Sequence, residues 1–485
     1  MAFVACLAAA AAGLIATTSS ATSLIELIVV LPIVAALLSR FGWGCFVGLL
    51  LVGGVDALPG PSLSQTHVAF TITAQDVLVG VLVGTLLVIN ARDRFRTMTR
   101  TSLALTICAW SVAFLVVFAA EVFRTVLTTP VPLLHAVWIV HGLAYLALLL
   151  PLMGCPLRDP AIRGPLLVTL AVGAIVANVS QALASAGVGT LSALVHVSQT
   201  GTVDGLVRLY TPASVIPTAA LPIGLGLVLF APTRAGRLTG AVLAVTGGVA
   251  VILALTRAEY VAEVVSLATA IVVWIAAGDP AARRGLGRLG AALAAVAATV
   301  GLLALVHPPQ QVSHALDGVS QRALSTIDVL GNQESPTNTL AIRNQESQDL
   351  EWALGSHWLF GLGFLDSSYV YNAYVPGGSI ENSDLGYLNG VMTMGVFGTV
   401  LYYVPLLLIP LALAVRRLWA PRRPAVPWVG FGVFAWAVGT IVSSKDLVIL
   451  FTPTGVVAVA FILALGIVEV TGSPNRPVSL ASICA

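Results

Sequence analysis

Residues 101–120 read TSLALTICAWSVAFLVVFAA, twenty residues with no charge among them. A helix of that length rises about 30 Å, the thickness of a bilayer's hydrocarbon core. The apolar residues do not alternate with polar ones, as a strand of a membrane barrel requires, so the stretch predicts a spanning helix. Runs of the same kind recur along the chain between polar or basic breaks. They place helices near 2–16, 24–39, 42–58, 75–90, 101–120, 134–153, 165–183, 213–230, 238–255, 260–277, 289–306, 388–415, 428–444 and 447–469. The expected fold class is an all-α integral membrane protein of about 12–14 transmembrane helices with one long outer-face loop. Composition agrees, since 58% of the 485 residues are hydrophobic and 9% charged. The mean hydropathy of +0.97 lies outside the usual soluble range.

Residues 1–22 have the Ala-rich core of a secretory signal, yet no Lys or Arg precedes it. They read as a first, weak membrane helix. The basic residues then orient the chain, because short cytoplasmic loops carry an excess of Lys and Arg. Arg40, Arg92, Arg94, Arg96, Arg100, Arg158, Arg163, Arg234, Arg237, Arg283, Arg284, Arg288, Arg416, Arg417, Arg422, Arg423 and Arg476 fall on one side. Both termini are expected in the cytoplasm. Only Arg124, Arg208, Arg257, Arg322, Arg343 and Lys445 fall outside or near the outer face.

Three divisions follow: helices over 1–306, an outer subdomain over 307–387, and helices with a short tail over 388–485. The outer subdomain carries nine acidic residues against two basic ones, which disfavours nucleic acid as a partner. Within it, 338–354 (NTLAIRNQESQDLEWAL) reads as an amphipathic helix with Asn338 as its cap. Five scattered cysteines, Cys6, Cys45, Cys108, Cys155 and Cys484, have no metal-ligand spacing. There is no Walker sequence, dinucleotide fingerprint or HExxH, so neither a cofactor nor a metal is expected.

Charges at membrane depth are costly, so each outer one is a functional candidate. Arg124 and Lys445 read as side chains that snorkel to the headgroups. Arg257, in LALTRAEYVAEVV, has Glu259 and Glu263 close by, which either pair with it or form an acidic helix end. Arg208 has Asp204 one turn earlier, and Arg343 has Glu346 and Asp349 as exposed neighbours. A carboxylate pair, Glu381 and Asp384, stands beside Asn382 and Tyr387 at the mouth of the twelfth expected helix. A carboxylate there also suits the helix dipole. Trp352, Trp358, Tyr369, Tyr371 and Tyr374 offer the loop a core of its own.

Four stretches, in order over roughly 200–405, resemble the O-antigen ligase and polymerase superfamily of membrane glycosyltransferases. They are the segment around Arg208 with its Pro-containing helix, LALTRAEY, IRNQESQDLEWALGSHWLFGLGF and IENSDLGYLNGVMTMGVFG. Where the ligases have His before Asn, this chain has Glu381. The resemblance implies a polyprenyl-diphosphate-linked glycan as donor and a glycan or envelope hydroxyl as acceptor on the outer face. It implies Arg257, Arg343 and Arg208 on the diphosphate, Glu381 as general base with Asp384 behind it, and Asn382 and Tyr387 on sugar hydroxyls. His357, His307 and His314 are alternative bases. A transporter of lipid-linked sugars and a scaffold for a polysaccharide assembly complex are the competing readings. A transporter would want charge along a path through several helices rather than at one face.

Overall fold

The computed structural model describes residues 42–57, 62–64, 67–69, 72–96, 101–185, 199–203, 206–210, 214–231, 233–276, 317, 320–321, 340–365, 386–419, 428–444 and 452–471. The expected helices at 2–16, 24–39 and 289–306 lie outside these residues. The other eleven are all present. In chain order the described helices are α1 (Gly42–Gly54), α2 (Ala74–Arg92), α3 (Ser102–Thr128), α4 (Leu133–Leu152), α5 (Cys155–Arg158), α6 (Pro160–Ser185) and α7 (Val215–Phe230). They continue as α8 (Arg234–Ala254), α9 (Arg257–Ala276), α10 (Leu340–Leu354), α11 (Tyr387–Trp419), α12 (Trp428–Ser443) and α13 (Pro453–Thr471). Two small antiparallel hairpins join them. They are β1 (His67–Ala69) with β2 (Ile72–Thr73), and β3 (Gln199–Val203) with β4 (Leu206–Tyr210).

The protein is an all-α integral membrane protein. Among the described residues six helices, α2, α3, α4, α6, α8 and the Tyr387–Leu408 part of α11, are long and apolar enough to cross a bilayer. Along α3, Leu105, Val112, Val116, Phe123 and Leu127 are all exposed. A surface of that kind suits lipid and not water. The opposite face of α3, with Ile107, Trp110 and Phe114, packs into one large core shared with α1, α2, α4, α11, α12 and α13.

Helix starts follow local chemistry. Thr73 and Asp76 form a reciprocal cap at α2, and Thr101 and Thr233 accept the N–H groups of Ala104 and Gly236 at α3 and α8. Small residues let helices touch backbone to backbone. A Cβ on Gly224 would meet the Ala244 nitrogen of α8 at 2.6 Å, and one on Gly439 would meet the Ala262 carbonyl of α9 at 2.2 Å.

Polar contacts sort the bundle into two ends. At one, the Arg92 guanidinium lies 5.9 Å from the Trp43 ring centroid, and Asn90 joins Pro151 O and Cys155 N, each at 2.8 Å. Arg163 there pairs with Glu469 at 2.7 Å. At the other end, Thr454 reaches Gln75 Oε1 at 3.2 Å and Asp56 at 3.4 Å, and Tyr387 N–H donates to Ser444 O at 2.8 Å. The first is the arginine-rich end that the sequence assigns to the cytoplasm.

Candidate functional site

Helix α11 carries an interior break. Gly395 sits at φ 66°, ψ −178°, in a conformation that only glycine adopts at little cost. A break in a membrane helix frees backbone groups that lipid cannot satisfy. Here the turn after α10 satisfies them. Val396 N–H donates to Trp358 O at 2.8 Å and Phe397 N–H to Leu359 O at 3.2 Å, while Leu362 N–H donates to Met392 O at 2.7 Å. The approach is so close that a Cβ on Gly395 would sit 2.2 Å from Leu359 O, and one on Gly361 2.5 Å from Gly395 N. Gly361 and Gly363 themselves have φ of 69° and 104°.

Helix α3 holds this turn from the other side. Arg124 pairs with Glu121 at 2.7 Å and donates to Phe360 O at 2.7 Å and Gly361 O at 3.2 Å. Thr125 Oγ1 accepts the Phe364 N–H at 2.9 Å. Phe364 is fully buried against Phe118. The snorkelling expected of Arg124 is therefore replaced by a clamp on protein backbone, because the carbonyls at 360 and 361 present better acceptors than distant headgroups. Leu359, Phe360, Val396, Phe397 and Val400 leave an exposed apolar rim around the break.

Arg343 lies in the first turns of α10, the helix that leads into the clamped turn. Its neighbour Glu346 is buried, not exposed as expected, because it shares the packed face of α10 with Leu350 and Leu354. Asp349 is reached by Gln345 Nε2 at 3.0 Å. Arg257 is the first residue of α9 and half-buried. Glu259 and Glu263 are both buried, one turn apart on the α9 side that also carries Ala262, the residue met by Gly439 of α12. Among the described residues neither carboxylate oxygen of Glu263 meets a hydrogen-bond donor. These acids are packed inside the bundle; they do not form a solvated helix end.

Tyr387 begins α11, exposed, with its backbone on Ser444 at the end of α12. Arg208 lies on β4 opposite Gly201. Glu381, Asn382 and Asp384 lie outside the described residues, as do His307, His314, Asp204, Lys445 and the three loop tyrosines. His357 is exposed, and its main chain bonds Leu354 O at 2.6 Å and Gly361 N at 2.7 Å. Trp352 and Trp358 are exposed as well.

The structure thus joins two of the four resembling stretches, the one ending Gly361-Leu362-Gly363 and the one containing Gly395 to Gly398. It also puts Tyr387 and the start of α9 at the same end of α12. Another polar group was not legible in the sequence. Asp76 Oδ1 receives His141 Nε2 at 3.0 Å and the Tyr145 hydroxyl, and Asp76 Oδ2 receives Thr73 N at 2.7 Å. His141 Nδ1 is on Trp138 O at 2.5 Å. Both imidazole nitrogens are engaged, which leaves this histidine no free atom for a base. Asp76 lies 65 positions or more from His141 and Tyr145 in sequence, and no periodic pattern links them.

Fold and contacts define a multi-pass helical membrane protein whose broken helix and clamped turn lie toward the end opposite its arginine-rich one. No protein-family model matches the chain, and no curated protein matches it.

Proposed function

We propose that the chain is a membrane glycosyltransferase, a polysaccharide polymerase or ligase. It moves a glycan from a polyprenyl-diphosphate donor to an acceptor sugar hydroxyl on the outer face of a bacterial inner membrane. The reading rests on the four stretches that resemble the O-antigen ligase and polymerase superfamily. The observation that carries it furthest is the docking of the Gly361-Leu362-Gly363 turn into the α11 break at Gly395. Non-helical backbone at membrane depth is tolerated where it lines protein or a cavity, and such places are where membrane enzymes and transporters bind substrate.

In this reading both termini are cytoplasmic and the site faces outward. Arg257 and Arg343, with Arg208 beside them, neutralise the diphosphate and the charge that grows on it as the glycosidic bond breaks. Guanidinium groups supply that charge without a divalent ion. Glu381 accepts the acceptor's proton, with Asp384 as the second carboxylate. Asn382 and Tyr387 orient sugar hydroxyls.

The test uses purified protein in lipid, a polyprenyl-diphosphate oligosaccharide extract, and chelator throughout. Wild type is expected to transfer glycan, whereas folded Glu381→Gln and Arg343→Ala variants lose about a hundredfold or more. Equal polymer from all three proteins would remove the site assignment and favour transport or scaffolding.

A further inference from the structure

Between α1, α6, α7, α8, α12 and α13 lies a cavity of about 200 Å³. Of the twenty-two residues that line it, Thr239 alone has a polar side chain. The void exists where facing positions drop to small residues, with Ala171 and Ala174 on α6, Ala219 and Ala220 on α7, and Ala458 on α13. It is elongated. Its α7 wall runs from Ile216 to Leu227, which corresponds to about 16 Å of helix.

Water is a poor occupant, because a buried water needs two to four polar partners and this wall offers one hydroxyl. The flank at α6 bears on which molecules have access. Val168 lines the cavity and is also 47% exposed on the outer surface of α6, one of the helices apolar and long enough to span a bilayer. Among the described residues this surface is apolar and faces outward, which suits lipid hydrocarbon. At the opposite extreme, next to Ala57, the Asp56 carboxylate is already occupied by Leu63 N–H at 2.9 Å and the Thr454 hydroxyl at 3.4 Å. That end offers a polar headgroup no unused donor from these residues.

We propose that the cavity binds one hydrocarbon chain of a membrane lipid, which enters sideways past Val168 and leaves its headgroup outside the bundle. A void of about 150 Å³ with apolar walls already holds a benzene molecule, so this one takes a run of several methylene or isoprene carbons. A phospholipid acyl chain and a polyprenyl chain share that chemistry. The site does not depend on glycosyl transfer, and its loss would leave that reading untouched.

Full-length protein in phosphatidylcholine nanodiscs, doped with phosphatidylcholine that carries a mid-chain diazirine, provides the test. After dilution into detergent with excess unlabelled phosphatidylcholine and then irradiation, adducts are expected on Ile223, Leu227, Phe461 or Ile462. Adducts on Val112 and Val116, which face outward from α3, are expected to vanish as annular lipid exchanges. Ala171→Phe or Ala174→Leu fills the void, and either is expected to cut cavity adducts about tenfold while annular labelling before dilution stays unchanged. Unlabelled polyprenyl phosphate, included in the nanodiscs before dilution, separates the two chain sources: cavity adducts that fall in its presence mark a polyprenyl chain, and adducts that it leaves unchanged mark an acyl chain. Adducts confined to outward-facing positions in wild type, or cavity adducts that persist in both filled variants, would overturn it.

Discussion

Two arginines anchor the opposite ends of the bundle in different ways. Arg163, at the arginine-rich end, meets one carboxylate, Glu469, and ties together two helices, α6 and α13, at their termini. Arg124, at the other end, meets Glu121 and two backbone carbonyls, and ties an intact helix to a turn that fills a broken one. The first contact needs only complementary side chains. The second works only if three chain segments arrive in the right backbone conformation, so that end is where a sequence change reshapes a surface and does more than weaken it.

The largest expected effect lies at the simpler end. Arg163→Ala removes the guanidinium from a mostly buried Glu469 and is expected to cost about 3 to 5 kcal/mol, read as a lowered Tm in lipid. The Arg163→Ala, Glu469→Ala double variant should recover part of that loss. If it does not, the pair does not tie α6 to α13.

Next comes Gly395→Ala. Its positive φ and the 2.2 Å approach of Leu359 O predict a loss of about 2 to 4 kcal/mol, combining backbone strain with overpacking. Hydrogen exchange should rise at Val396 and Phe397 and stay unchanged at α6. Exchange that rises at both ends alike would erase the contrast between them.

Arg124→Ala is expected to cost less, about 1 to 3 kcal/mol, because the guanidinium is partly exposed and solvent screens its pair with Glu121. Its signature is local. Limited proteolysis should cut within 357–365 while the Arg163 contact survives.

The smallest effect concerns Cys155, in the connection between α4 and α6. Burial, then the carboxylates of Asp159 and Asp93, push its thiol above the ordinary value. The thiol rather than the reactive thiolate therefore prevails at neutral pH, and Asp159→Asn shifts the balance back toward thiolate. In a chain whose other cysteines are replaced, maleimide labelling at pH 8 should speed up by about two- to fivefold. An unchanged rate would mean that Asp159 does not act on the sulfur.

The spanning helices were legible because uncharged apolar runs have one physical solution in a bilayer. Their ends were less so, and the misses have a common cause. The expected span at 101–120 stops before Glu121 and Arg124, yet α3 continues to Thr128 because those two side chains pair one turn apart on the same helix. The span expected from 238 begins at Arg234, since Thr233 caps it and Arg237 bonds Ala231 O at 3.3 Å. A charge reads as a boundary only while its partner is unknown. The break at Gly395 was hidden for a related reason. GVMTMGVFGTV has the composition of an ordinary membrane helix, and the carbonyls that make the irregularity affordable come from 358 and 359. The two hairpins went unread because strands of two to five residues carry too little periodicity.

The order of the segments along the chain gives the α11 break a consequence for biosynthesis. Ribosomes make Trp358 and Leu359 before Val396 and Phe397, so the carbonyls precede the N–H groups that will need them. A nascent α11 that entered lipid alone would carry donors with no acceptor. The segment that supplies the acceptors is thus made before α11, and Arg124, made earlier still, contacts it at Phe360 and Gly361.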